Sequence, residues 1–412
     1  VQNKGGAMKK AKLFSFFLIM VLIWPLMVNA GTVIKTIPVG SFPLGIAAIP
    51  DGTYVYVTNQ NDNTVSVIKT SDNSVVKTID VGSYPQGISA NPNGLYVYAG
   101  GSPLSVIKTS DHTVEDTISL GLNSQGIDVS PDGNYIYSVN PASYTMMVIR
   151  TSDNTVESKI LVGNDPAYLA VTPDGNYIYV TKWADDHLKM ASTSNILGPD
   201  KTVWSTFSAG DSPHGIAISP NGNYIYVANR IADTVSVFKT SDNTIVDTVI
   251  VGNEPIGIAM APDGSCVVVA NAADDTVSVI QTSDNTVSNT ITVGDGPKAL
   301  TFTPDGGSVY VANTNDGTVS VIKMAPGFLP ITFNITMNGI NCNFSWNSVT
   351  GADGYKLYYA PLDLSYIKNI DMGNQTSISL NLWSGAAFYV AVKAYNSMGS
   401  SDYSNIEYFS IP

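Results

Sequence analysis

The chain has 412 residues, 44% hydrophobic and 13% charged, with 33 acidic against 20 basic side chains. So apolar a composition excludes an intrinsically disordered chain, and a net charge of −13 disfavours general binding to phosphate backbones. The length suits two or three ordinary domains, or one large ring with a small domain beside it.

Residues 1–30 are distinct from the rest. Lys9, Lys10 and Lys12 follow Met8, Leu13 to Val28 is almost wholly apolar, and Val28-Asn29-Ala30 places small residues at a cleavage spacing. This reads as a secretory signal peptide cut after Ala30, with residues 1–7 upstream of the start at Met8. The run is short for a membrane span and is interrupted by Pro25, so no transmembrane anchor is expected after processing. The processed chain would carry 33 acids against 16 bases, a formal charge of −17. It is expected to be exported: to the periplasm, the cell surface or beyond.

From residue 31 to 325 one phrase of about 42 residues recurs seven times. Its opening glycine falls at Gly40, Gly82, Gly121, Gly163, Gly210, Gly252 and Gly294, in steps of 42, 39, 42, 47, 42 and 42. The fifth copy shows the elements. Gly215 to Ser219 is a first strand, Pro220-Asn221-Gly222 a turn, and Tyr224 to Ala228 a second strand. Thr234 to Lys239 and Thr244 to Val251 follow, separated by the Thr240-Ser241-Asp242-Asn243 turn. Asp, Asn, Ser and Gly suit these turns because they tolerate left-handed backbone or bond local amides. Four short antiparallel strands per copy predict one blade, and seven copies predict a seven-bladed β-propeller.

The seventh copy stops at Ala325-Pro326 without a fourth strand. Val33 to Gly40 matches Val75 to Gly82, the fourth strand of the first copy. The N-terminal strand is therefore expected to complete the last blade, with Pro38 tolerated on an outer edge. Residues 326–330 form a linker. Residues 331–412 show strand and turn patterning of one small β-sandwich. The fold class is all-β throughout. Cys266 and Cys342 fall in different domains: Cys266 takes the place of the first Tyr of the Y-x-Y and is most simply a small core residue, Cys342 lies in an alternating strand pattern, and no disulfide between them is expected.

Tyr56-Val57-Thr58-Asn59 and its variants Tyr179-Val180-Thr181-Lys182, Tyr226-Val227-Ala228-Asn229 and Tyr310-Val311-Ala312-Asn313 resemble the signature of the YVTN family of β-propeller repeat proteins. That resemblance implies an exported or surface-layer propeller. The C-terminal segment, with Trp346, Gly354-Tyr355-Lys356-Leu357-Tyr358-Tyr359 and Tyr389 to Asn396, resembles a fibronectin type III domain. Phe388 stands where that family usually carries its corner tyrosine. Such a module is expected to act as a spacer.

The V-G-x-x-P loops and the loops after each second strand are expected on one face, and the Pro-Asp-Gly and Thr-Ser-Asp-Asn turns on the other. The turns are near-identical between copies, as turn geometry alone requires. The first face varies. After each proline position stand Leu44, Gln86, Gln125, Ala167, His214, Ile256 and Lys298. Copy 3 carries Asp128, and copy 4 carries Trp183, Asp185, Asp186 and His187 together with five extra residues. The candidate ligand-binding residues are therefore Gln86, Gln125, Asp128, Trp183, Asp185, Asp186, His187, His214 and Lys298. Simpler roles compete: Trp183 as a blade cap, the acids as a solvated loop, His112 as a replacement for a turn Asn.

No catalytic residues are assigned and no cofactor is expected. The loop acids Asp165, Asp211, Asp233, Glu254, Asp274, Asp275 and Asp295 suit at most weak calcium binding, without a D-x-D-x-D-G loop. The function expected is a non-catalytic binding or scaffold protein of the cell envelope, presenting one face to a protein or glycan. Resemblance to propeller lactonases and to heavy subunits of amine dehydrogenases implies the alternative of a hydrolase, with His214, Asp128 and Asp185 at the channel mouth. A structural surface-layer subunit is the third reading.

Overall fold

A computed structural model describes residues 31–121, 124–198, 204–324, 333–349, 352–361, 367–396, 399–400, 404 and 407–411. The expected leader at 1–30 and the linker at 326–330 lie outside the described residues. Seven four-stranded antiparallel sheets follow one another, six of them in simple meander order from the inside outwards and the seventh with the N-terminal strand on its outer edge. The fifth blade comprises Pro213–Ile218, Tyr224–Asn229, Thr234–Lys239 and Thr244–Ile250, so the expected strands are present with ends shifted by one or two residues.

Burial follows position in the blade. The second and third strands are sandwiched between neighbouring blades and are buried on both faces: Val55, Tyr56, Val57, Val65, Val67 and Ile68 are fully enclosed. The fourth strand has one open edge, and in Ser74–Asp80 only Ile79 is buried. The core is accordingly a ring of inter-blade clusters, not one central mass.

Ring closure is as the repeat arithmetic requires. Thr32–Pro38 pairs antiparallel with Thr318–Lys323, from Thr32 opposite Lys323 to Pro38 opposite Thr318. The seventh blade thus joins strands from both ends of the repeat region. A bulge between Val33 and Lys35 matches that between Val67 and Ile68 of the first blade. Ile37, Ile46, Val55 and Ile68 then pack with Tyr310, Val319 and Val321, sealing blade 7 against blade 1.

The recurring Tyr-Val-Thr-Asn motif has a physical basis here. Asn59 is wholly buried; its amide donates to Thr64 Oγ1 (3.0 Å) and Ser66 Oγ (2.9 Å), and its Oδ1 accepts from Gly40 N (3.1 Å). Asn229 repeats the set with Thr234, Ser236 and Gly210. The preceding Thr58 accepts from Gly45 N (2.8 Å) and donates to the Gln86 carbonyl of the next blade (2.7 Å). The Asn ties the blade's own loop; the Thr ties blade to blade.

The C-terminal unit is a two-sheet β-sandwich. Phe333–Asn338, Asn341–Trp346 and Ser377–Asn381 form one sheet; Gly354–Pro361, Lys368–Gly373 and Ala387–Asn396 form the body of the other. Its core holds Trp346, Phe344, Tyr355, Val392 and Phe409. Phe388 packs against Trp383 and Phe409 and has no hydroxyl for a corner hydrogen bond. Cys266 and Cys342 are both buried and free. Among the described residues no helix is long and apolar enough to cross a membrane.

Candidate functional site

The site begins with the V-G-x-x-P loops that lead into each first strand. The residue before the proline is held at positive φ in Phe42 (59°), Tyr84 (52°), Asp165 (47°), Ser212 (56°) and Glu254 (50°), a region that costs a non-glycine residue energy. The strain is held by neighbours. Asn63 Oδ1 accepts from Tyr84 N, Asp186 from Ser212 N, Asp233 from Glu254 N and Asp275 from Gly296 N, at 2.8–2.9 Å. Asp62, Asp274 and Asp316 accept from Ser41, Asn253 and Asp295 of their own blades. Three of the loop acids considered for calcium, Asp233, Asp274 and Asp275, are therefore engaged as loop clamps. Among the described residues no group of three or more His, Cys, Asp or Glu is arranged to hold a metal.

The residues after the prolines ring the mouth of the central channel. The glycine that follows is dictated by close approach: a Cβ on Gly45 would lie 2.1 Å from the Gln86 carbonyl oxygen, and one on Gly215 would lie 2.3 Å from that of Ile256. Seven chain segments thereby converge on a cavity of about 570 Å3. Gln86, Gln125, His214 and Lys298 line it as expected, with Leu44 and Ile256; Ala167 does not. In blade 4 the glycine position is occupied by Tyr168, whose ring enters the cavity and whose hydroxyl bonds to Gln125. The missing glycine was the legible signal for it. Gln60, Phe42, Arg230 and Glu254 complete the polar and aromatic lining.

Blades 5, 6 and 7 supply the charge. Arg230 Nη2 donates to Glu254 Oε2 at 3.0 Å. Lys298 Nζ stands 4.8 Å over the Phe42 ring, a cation–π contact. Burial, and then the Arg230 charge, holds the Lys298 ammonium below its ordinary value. His214 is only 8% exposed, and burial pushes its imidazole down. Its Nδ1 lies 3.1 Å from the Ser212 carbonyl, so that nitrogen carries the proton and Nε2 is left as an acceptor.

Asp128 lies on the strand Gly126–Val129 that follows Gln125, away from the mouth, and is not part of the cavity wall. Its carboxylate accepts from Val129 N (2.9 Å) and, across the blade junction, Val171 N (3.0 Å), and bonds to Ser89. It joins three successive inner strands. Burial raises it to about 6 despite those bonds.

The blade 4 residues divide. Trp183, 40% exposed, stands at the rim with its ring 6.3 Å from that of His214. Asp185 pairs with buried Lys182, which occupies the place of Asn59, and that pairing lowers the Asp185 carboxyl. Asp186 is the Ser212 clamp, and His187 Nδ1 bonds back to the Asp185 carbonyl. These three side chains are thus used within the loop. The extra length of copy 4 is not on this face. It falls between His187–Ser192 and Ser205–Ser208, where a short helix, Thr193–Leu197, replaces the usual turn. A second cavity, about 670 Å3, opens on that turn face between blades 4 and 5. Several of its polar groups are already engaged: Asp174 with Thr172 and Asn176, Asn243 with Tyr179, Thr240 with Gly222.

Fold and channel mouth together define a β-propeller protein. A family model of the seven-bladed lactonase β-propeller matches residues 197–288 and 257–331, which take in blades 5 to 7. Among solved structures, Kuenenia stuttgartiensis hydrazine synthase is similar with a TM-score of 0.62 and 17% identity, over 69% of this chain and 96% of that one. That likeness concerns the fold. No curated protein matches the sequence.

Proposed function

We propose that this is an exported binding protein of the cell envelope whose channel mouth takes the end of a glycan, the fibronectin type III-like C-terminal module acting as spacer. The observation that carries the reading is the convergence of Gln60, Gln86, Gln125 and the Tyr168 hydroxyl on one cavity beside the exposed Trp183. Amide groups donate and accept at once, which suits sugar hydroxyls, and an indole offers an apolar face to a sugar ring. The chain also leaves the propeller after Lys323, at the turn face opposite the mouth, so its continuation does not start at the cavity. Calorimetry of the full chain against an oligosaccharide panel tests the reading. Trp183→Ala and Gln86→Ala are each expected to weaken binding about tenfold, the scale of one lost stacking or hydrogen-bonding contact. Unchanged affinity in both variants would remove the site.

A lactonase-like hydrolase is the second reading. His214, Arg230, Glu254 and Lys298 all fall within residues 197–331, the segment similar to the lactonase propeller. Nε2 of a neutral His214 is a free base at the cavity wall. Turnover of a lactone panel, abolished by His214→Ala with the fold intact, would establish it over the binding reading.

A further inference from the structure

We propose that the channel mouth contains an oxyanion subsite, built by Arg230 and Lys298, for a carboxylate or sulfate group on the ligand. The charged residues of the cavity wall are Arg230, Lys298 and Glu254, a local excess of positive charge in a chain whose net charge is −13. Only Arg230 is paired with Glu254, and through one nitrogen, Nη2. Arg230 Nε is a buried donor with no acceptor among the described residues. Lys298 has no carboxylate partner among the described residues and rests on the Phe42 ring.

Two cations from different blades are thus drawn into one cavity against a single carboxylate. A guanidinium N–H without an acceptor is costly, and because the Arg230 side chain is 40% exposed a small turn would present that donor to an oxyanion in the cavity. The same group would neutralise the repulsion between Arg230 and Lys298. Gln86, Gln125 and His214 Nε2 remain for the rest of the ligand. The subsite depends on the glycan reading only for the molecule that carries the acid.

The test uses the full chain with four probes: glucuronate, inorganic sulfate, and an acidic oligosaccharide beside its neutral counterpart. Calorimetry gives affinity, and the Arg230 Nε–H NMR resonance, assigned by its loss in Arg230→Lys, reports occupancy. Glucuronate or sulfate should shift that resonance, the two arms telling carboxylate from sulfate. The acidic oligosaccharide should bind at least about tenfold tighter than the neutral one. Arg230→Lys, which keeps the charge and loses the Nε–H fork, and Lys298→Gln should each erase that advantage. Glu254→Gln should strengthen anion binding several-fold by freeing Arg230, an effect that a merely structural pair would not produce. Equal binding of the acidic and neutral oligosaccharides would overturn the subsite and leave the glycan reading standing. Anion binding that requires Arg230, with no oligosaccharide bound, would support the subsite and overturn the glycan reading. No response of the resonance to either small anion would overturn the subsite outright.

Discussion

The Tyr310 hydroxyl donates to Asn73 Oδ1, joining blade 7 to blade 1 across 237 residues of chain. The bond recurs around the ring. Tyr179 donates to Asn243 and Tyr226 to Asn285, while Tyr56 meets His112 Nδ1 at 2.7 Å. In these four blades the third residue of the second strand is therefore a buried tyrosine whose hydroxyl is satisfied by the third-to-fourth-strand turn of the next blade, whereas the Tyr98 hydroxyl accepts from Asn91 of its own blade. His112 serves in this bond as an Asn would, and its φ of 57° matches that of Asn73. In blade 6 the tyrosine is replaced by Val268. Its neighbour, blade 7, takes its fourth strand from the N-terminus and so has no such turn. At the blade 6–blade 7 junction the receiving turn and the hydroxyl are both missing.

Tyr310→Phe leaves the Asn73 acceptor unpaired near the blade junction and is expected to cost about 1–3 kcal/mol. Val268→Tyr should also destabilise, because it buries a hydroxyl with no turn to receive it. Urea unfolding of both variants checks this. A stabilising Val268→Tyr would refute the account of the seam.

Asn59→Ala removes three hydrogen bonds from one buried side chain, stranding Gly40 N, Thr64 and Ser66. A loss of about 2–4 kcal/mol is expected, measured the same way. Asn59→Asp should also destabilise: its carboxylate can accept from Gly40 N and from the two hydroxyls once they rotate, but it buries a charge with no cation beside it.

Deleting residues 32–39 should open the ring. Thr318–Lys323 would lose its outer partner, Ile37 would leave the blade 7–blade 1 cluster, and an unpaired edge would face solvent. A clear drop in Tm with concentration-dependent aggregation is expected, and adding the segment back as a peptide should restore part of the stability. A truncated monomer with the parental Tm would show that the strand does not close the ring.

Asp128 should give stability a pH dependence of known sign. Its carboxyl titrates at about 6 in the fold against an ordinary 3.8, so between those values the folded state binds more protons than the unfolded state. Stability therefore falls as pH rises through that window; the contribution is whole below the ordinary value and lost above the raised one. The shift corresponds to about 3 kcal/mol at most. Asp128→Asn cannot titrate, so urea melts between about pH 4 and 7 should show wild type losing ground to the variant. A difference that stays flat with pH would contradict the assignment.

The repeat period, the turn chemistry and the match between Val33–Gly40 and Val75–Gly82 were enough to read seven blades and the closing strand, because each blade is made by local pairing of neighbouring segments. They also placed Gln86, Gln125, His214 and Lys298, since the position after the proline lines the channel mouth in six of the seven copies. What sequence order could not supply was the meeting of Arg230, Glu254, Lys298 and Phe42. These residues lie in blades 5, 6, 7 and 1, and only the closed circle brings them to one cavity. Likewise the clamp roles of Asp186, Asp233 and Asp275 were not legible, because the need for an acceptor arises only where a neighbouring loop holds Ser212, Glu254 or Gly296 at positive φ. Periodicity determined the scaffold through short-range hydrogen bonding; the site was decided by curvature, which sets distant side chains facing one another across the axis.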